Sequence, residues 1–91
     1  MTGALFVVRI RAGEKCISVP RTRAIISPKG MFAWDVFFPA GTSVVVELFD
    51  GLHELRLSGT ISRSVVDSGV AIEFKKTTET VARKLEVLLA A

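Results

Sequence analysis

The chain has 91 residues, which is enough for one small domain, and 49% of them are hydrophobic, which supplies one core and excludes a disordered chain. The formal net charge is +3, from twelve basic and nine acidic residues that form no block of like charge. Because no basic run is interleaved with aromatic residues, the composition argues against nucleic-acid binding. No stretch approaches ~18 apolar residues, so no membrane-spanning segment is expected.

The single cysteine, Cys16, has no partner for a disulfide within the chain, which favours a reducing, cytoplasmic compartment. A nucleophilic role would need a nearby base, and the only histidine, His53, lies far along the chain. We therefore predict that Cys16 is a half-buried strand residue. The apolar run near the N-terminus is too short for a signal peptide and has no charged leader before it.

Hydrophobic side chains alternate with a period of two over most of the sequence, as is typical of strands. Pro20 interrupts the second alternating run, and because proline cannot donate to a ladder, we expect an edge strand or a bulge there. Ser27-Pro28-Lys29-Gly30 has the composition of a tight turn. The six predicted strands cover residues 4–11, 15–26, 31–36, 43–49, 52–63 and 69–75.

Asp-Gly at residues 50–51 predicts a type I′ hairpin, since both central residues of that turn need positive φ. A two-residue loop would pair Leu48 with His53 and Glu47 with Glu54. This register places one set of apolar side chains on a common, half-buried face. The set is Val44, Val46, Leu48, Leu55 and Leu57.

After Lys76 the hydrophobic period becomes helical, and we predict a helix over residues 78–90. Thr77 or Thr78 can cap its first turn, and Glu79 and Arg83 form an i,i+4 pair in the favourable order. Its predicted apolar stripe consists of Val81, Ala82, Leu85, Leu88 and Leu89. The fold class expected for the single domain, residues 1–91, is a mainly β, six-stranded antiparallel split barrel with one C-terminal helix.

The sequence offers little for catalysis. It contains no His, Cys, Asp or Glu cluster with metal-ligand spacing, no glycine-rich phosphate loop that opens a helix, and no nucleophile beside a base. We therefore expect a protein that is not an enzyme and that needs neither a metal nor a cofactor.

The segment around residues 21–32 carries a family resemblance. Two arginines, Arg21 and Arg23, lead into a Ser-x-x-Gly turn, Ser27 to Gly30, followed by an apolar strand. This resembles the PilZ domain, whose signature is Asp/Asn-x-Ser-x-x-Gly before a strand, although Ile25 stands at the acidic or amide position. The resemblance covers about residues 5–90 and includes Gly41 and the segments 57–61 and 68–74.

The resemblance implies a six-stranded barrel, and typical members bind cyclic di-GMP through an Arg-x-x-x-Arg motif ahead of the first strand. Guanidinium groups suit that ligand because they bind phosphate and guanine edges in a bidentate manner. This sequence lacks the motif, since Arg9 and Arg11 are two residues apart inside the predicted first strand, and Ile25 cannot accept a hydrogen bond. Members without the motif act through proteins, including in type IV pilus assembly and motility.

We accordingly expect a degenerate PilZ-like signalling or adaptor module that binds a protein partner and regulates bacterial motility or surface behaviour. Its surface would be the segment 31–38 or the terminal helix, since Trp and Phe anchor interfaces. The alternative for the two phenylalanines is a loop that folds over the barrel mouth. The candidate interface residues are Met31, Phe32, Trp34, Phe37 and Phe38.

Two further hypotheses remain open. In the first, the chain is a cyclic di-GMP receptor; in the second, it is a structural module that forms a homodimer through its aromatic strand. Against the receptor, the two arginines at 21 and 23 are also explained as a solvated strand face, and the Ser-x-x-Gly residues as turn formers. The candidate ligand-binding residues are Arg21, Arg23, Ser27 and Gly30, with Arg9 or Arg11 substituting for the missing motif.

Overall fold

The computed structural model describes residues 7–49, 51, 54–75 and 78–90, with side chains up to residue 88. Within these residues it contains seven strands, a short 3-10 helix and one α-helix. The strands are β1 Val7–Ala12, β2 Lys15–Val19, β3 Ala24–Ile26, β4 Gly30–Trp34, β5 Ser43–Phe49, β6 Glu54–Val65 and β7 Gly69–Phe74. The 3-10 helix spans Arg21–Arg23, and the α-helix α1 spans Glu79–Ala90.

The strands form one curled antiparallel sheet in the order β2-β1-β5-β6-β7-β4-β3. The mainly β class with a C-terminal helix is therefore confirmed. The predicted count of six strands is wrong, because the sheet has seven strands, and in place of the predicted split barrel it forms a half-barrel. Its two edges, β2 and β3, are not paired with each other among the described residues.

Pro20 explains the additional strand. The predicted strand over residues 15–26 is divided, because Pro20 follows β2 and the chain then makes one 3-10 turn in which the Arg23 N–H donates to the Pro20 carbonyl at 2.8 Å. The chain resumes as β3, which pairs with β4 on the far side of the sheet. The expectation of an edge strand at Pro20 is confirmed, since both halves are edges.

The β5–β6 hairpin has a register two residues away from the predicted one. Leu48 pairs with Leu55, and Glu47 pairs with Arg56 rather than with Glu54. A shift of two residues returns every side chain to the same face, so the hydrophobic pattern alone cannot distinguish the two registers. The predicted apolar set is accordingly buried. The pairing predicted for His53 lies outside the described residues.

The core lies on the inner face of the sheet and is closed by α1. Leu85 is fully buried and Leu88 nearly so, whereas Val87 on the opposite side of the helix is exposed. The predicted cap is confirmed at Thr78, whose Oγ1 accepts a hydrogen bond from the Val81 N–H at 3.2 Å. The predicted side-chain pair between residues 79 and 83 is also present, at 3.0 Å. The fully buried strand residues include Val8, Ile10, Val46, Leu48, Leu57 and Ile61.

Cys16 lies in β2 as predicted, but it is exposed rather than half-buried. β2 is an edge strand, and Cys16 pairs with Arg11, whose side chain also faces outward. Residues on the opposite face of β2 are more buried, since Ile17 is half-buried and Val19 is buried.

Among the described residues, no helix is both long enough and apolar enough to cross a membrane.

Candidate interaction surface

The outer face of β4 carries two aromatic side chains. Alternation along the strand turns Met31 and Ala33 into the core and leaves Phe32 half-buried and Trp34 38% exposed on the outside. The two rings contact each other edge to face, with 5.0 Å between their centroids and 71° between their planes. This arrangement is the preferred one for aromatic pairs, so each ring fixes the orientation of the other.

The sheet register adds two aliphatic side chains to this pair. Ile25 on β3 lies directly opposite Phe32 and is 61% exposed. On the other side of β4, Trp34 and the half-exposed Val65 of β6 both pair with Gly69, which has no side chain to separate them. Directly paired residues such as Ile25 and Phe32 lie about 5 Å apart, whereas Trp34 and Val65 lie on the same outer face about 10 Å apart, on either side of Gly69. We call Ile25, Phe32, Trp34 and Val65 the outer aromatic surface.

Charged side chains lie at the margin of this patch. Arg23 forms an ion pair with Asp35 at 3.0 Å, next to the end of β4. Arg63 pairs in register with Ala71, which is itself opposite Phe32. Arg63 forms no ion pair within the described part of the chain. An apolar centre with a polar, solvated rim is the general layout of protein interfaces.

Of the predicted interface residues, Phe32, Trp34 and Phe37 lie at the surface. Met31 and Phe38 are buried in the core, so the prediction that they contribute to an interface is wrong. The two phenylalanines of the loop occupy different environments. Phe38 packs inside, where its ring lies 5.1 Å from the Lys15 Nζ, whereas Phe37 is 61% exposed.

Ile25 and Val65 are not among the predicted interface residues. Ile25 enters the sequence prediction only as a departure from a motif, and Val65 lies beyond the predicted fifth strand, which ends at residue 63. A signal for Ile25 was nevertheless present, because a turn that pairs Ser27 with Gly30 also sets residue 25 opposite residue 32. No comparable local signal marks Val65, since its neighbour β4 is distant in sequence.

The predicted ligand residues near β3 lie at opposite ends of one hairpin. Arg21 and Arg23 belong to the 3-10 helix before β3, not to a strand face as predicted. Arg21 donates from Nη1 to the Ala24 carbonyl at 3.2 Å. Ser27 and Gly30 form the turn at the other end, which the three residues of β3 place about 10 Å away.

The Ser27–Gly30 turn is confirmed in detail. The Ser27 N–H donates to the Gly30 carbonyl at 2.8 Å, and the Ser27 Oγ accepts from the Lys29 and Gly30 N–H groups at 3.3 Å each. The Ser27 hydroxyl is thus engaged by its own turn. This contact accounts for Ser27 and Gly30 as turn formers.

Arg9 and Arg11 lie on β1, near the opposite edge of the sheet from β3. Arg11 contacts the buried carboxylate of Glu47, with 3.5 Å between its Nη2 and Oε1, and the Nε of Arg56 is 3.5 Å from the other carboxylate oxygen. The six candidate ligand residues therefore occupy three separate places. No single binding site brings them together.

Within the described ranges, no group of three or more His, Cys, Asp or Glu side chains is placed to hold a metal ion. Comparisons with known proteins found no matching family model, no matching curated protein and no matching solved structure.

Proposed function

We propose that this chain is a non-catalytic, degenerate PilZ-like adaptor that binds a protein partner through the outer aromatic surface. The observation that carries the proposal is the mutually packed pair of half-buried Phe32 and exposed Trp34 on the outer face, with exposed Ile25 and Val65 on the same face. In this proposal the module works in the bacterial cytoplasm and regulates motility or surface behaviour.

The energetics of the surface support a binding role. Leaving a large apolar side chain in water forgoes about 1.5–3 kcal/mol that burial would supply, and here several such side chains are adjacent. Binding hot spots are rich in Trp, and a ring already held by a neighbour loses less entropy when a partner covers it. Trp34, held edge to face by Phe32, meets both conditions.

The test compares two residues of equal exposure on the same outer face. We expect Trp34→Ala to weaken binding of a partner that Phe49→Ala retains, since Trp34 and Phe49 are each 38% exposed but lie on different strands. Affinity capture from the native cell with wild type and both variants, read by quantitative mass spectrometry, identifies the partner. Titration of the purified partner then measures the loss, which we expect to exceed about tenfold.

Equal capture by both variants would refute the assignment of the surface. Circular dichroism of the two variants controls for folding. If wild-type chain instead sediments as a dimer that Trp34→Ala converts to a monomer of about half the mass, the surface binds a second copy and the adaptor proposal is wrong.

Cyclic di-GMP is expected not to bind at micromolar concentration. Arg21 and Arg23 are separated from the Ser27–Gly30 turn by the length of β3, and the Ser27 hydroxyl is engaged in the turn. Losing charge-assisted bonds costs about 1.5–3 kcal/mol each, which removes a micromolar site when several are lost. Isothermal titration measures this directly. A saturable heat of binding with a micromolar Kd, which is lost in Arg23→Ala, would favour the receptor hypothesis.

A further inference from the structure

A shallow depression lies on the sheet away from the outer aromatic surface, across β1, β5 and β6. Its wall includes Arg11, Val45, Ser58 and Lys75, which follow one another across the sheet. The Lys75 N–H donates to the Ser58 carbonyl at 2.9 Å, which places residue 75 beside the end of β6. None of the eight described residues that line the depression is acidic.

Arg11 is oriented from the side by a carboxylate. Glu47 is only 8% exposed, although it lies on the outer face, and its Oε1 is 3.5 Å from Arg11 Nη2. A guanidinium has five N–H donors, and this ion pair involves only the Nη2 nitrogen of Arg11. The remaining donors of Arg11 are available to a ligand, and a guanidinium held in place loses little freedom when it binds one.

The depression has further hydrogen-bond donors besides Arg11. Lys75 is exposed and forms no ion pair with any residue in the described ranges. The hydroxyl groups of Ser43 and Ser58 belong to the same wall, and the Gly13 backbone completes it. Two cations and two hydroxyl groups provide two positive charges and several hydrogen-bond donors around one concave surface.

We propose that this depression binds the dianionic phosphate of a small phosphorylated molecule, with Arg11 and Lys75 as its charged contacts. The charge of the phosphate monoester dianion matches the two cations, and its oxygens accept from the guanidinium, the ammonium and the hydroxyl groups. This site is independent of the outer aromatic surface.

The test uses glycerol 3-phosphate as the probe at constant ionic strength and follows the backbone amide NMR signals of Gly13, Ser58 and Lys75. We expect saturable shifts with a Kd of about 1 mM or tighter. Arg11→Ala and Lys75→Ala should each weaken binding about tenfold, since each removes a charge-assisted contact. Binding should weaken from pH 8 to pH 5, because a phosphate monoester has a second pKa near 6 and loses its second charge.

Lys84→Ala is the matched control, because Lys84 is an exposed lysine on α1 and its loss changes the net charge equally. An equal effect of Lys84→Ala and Lys75→Ala would overturn the site and leave only general attraction to a basic protein. Absence of saturable shifts would overturn it as well. Binding to vesicles that contain phosphatidic acid, with none to glycerol 3-phosphate, would replace the small molecule by a lipid surface and refute the proposal.

Discussion

Gly69→Ala is expected to destabilise the protein by about 3 kcal/mol or more, the upper end of the cost of overpacking. Gly69 begins β7 and pairs with Trp34 on β4. A Cβ built on Gly69 would overlap the backbone carbonyl oxygen of Ala33. Because a backbone atom cannot rotate away, the strands would have to separate. A chain of this length has a total stability of roughly 5–13 kcal/mol, so the loss is a large part of it.

Urea unfolding followed by far-UV circular dichroism measures this change. Gly13→Ala serves as the control, because Gly13 has a φ of +60° and open space around it. That substitution introduces backbone strain without overlap, at a cost of about 1–2 kcal/mol. If Gly69→Ala lowers the free energy of unfolding by no more than Gly13→Ala does, the backbones of β4 and β7 are not in close contact at Gly69.

The same close approach recurs at the other end of the β4–β7 pair. A Cβ on Gly30 would overlap the backbone carbonyl oxygen of Ile72. Gly30 thus has two roles, since it also closes the turn that begins at Ser27. Only the turn is predictable from local sequence, because the overlap involves a strand more than forty residues away in sequence.

The predictable part of this fold is its local part. Alternation located the inward side chains of β5, and the change of period located α1, one of whose two predicted caps, Thr78, is present. The number of strands was not predictable from alternation, because a proline such as Pro20 is compatible both with a bulge within an edge strand and with the end of a strand. The β5–β6 register was missed for a related reason, since a shift of two residues preserves every face.

The candidate interaction surface was predictable in its centre and not at its edge. Alternation along one strand puts Phe32 and Trp34 on a common face, whereas Val65 joins them only through the pairing of β6 and β4 with β7. Phe37 and Phe38 are adjacent in a loop, where no fixed period indicates which ring turns inward. Such contacts depend on the order of strands in the sheet, and local pattern does not determine that order.

Packing of the terminal helix is expected to depend on Leu85. Leu85→Ala should destabilise the protein by about 2–5 kcal/mol, because the leucine is fully buried and its truncation removes apolar contact and leaves a cavity. Val87→Ala, two residues along the same helix, should change stability by less than about 0.5 kcal/mol, because Val87 is 70% exposed and alanine is the better helix former.

Urea unfolding of both variants separates packing from helix propensity, since each puts alanine into α1 and only one removes a core side chain. Far-UV circular dichroism at low urea should show that both variants retain the helix before unfolding. If the two substitutions cost the same, α1 does not pack its Leu85 face against the sheet, and the half-barrel would need another cover for its core. A large difference in the predicted direction establishes α1 as part of the folded unit.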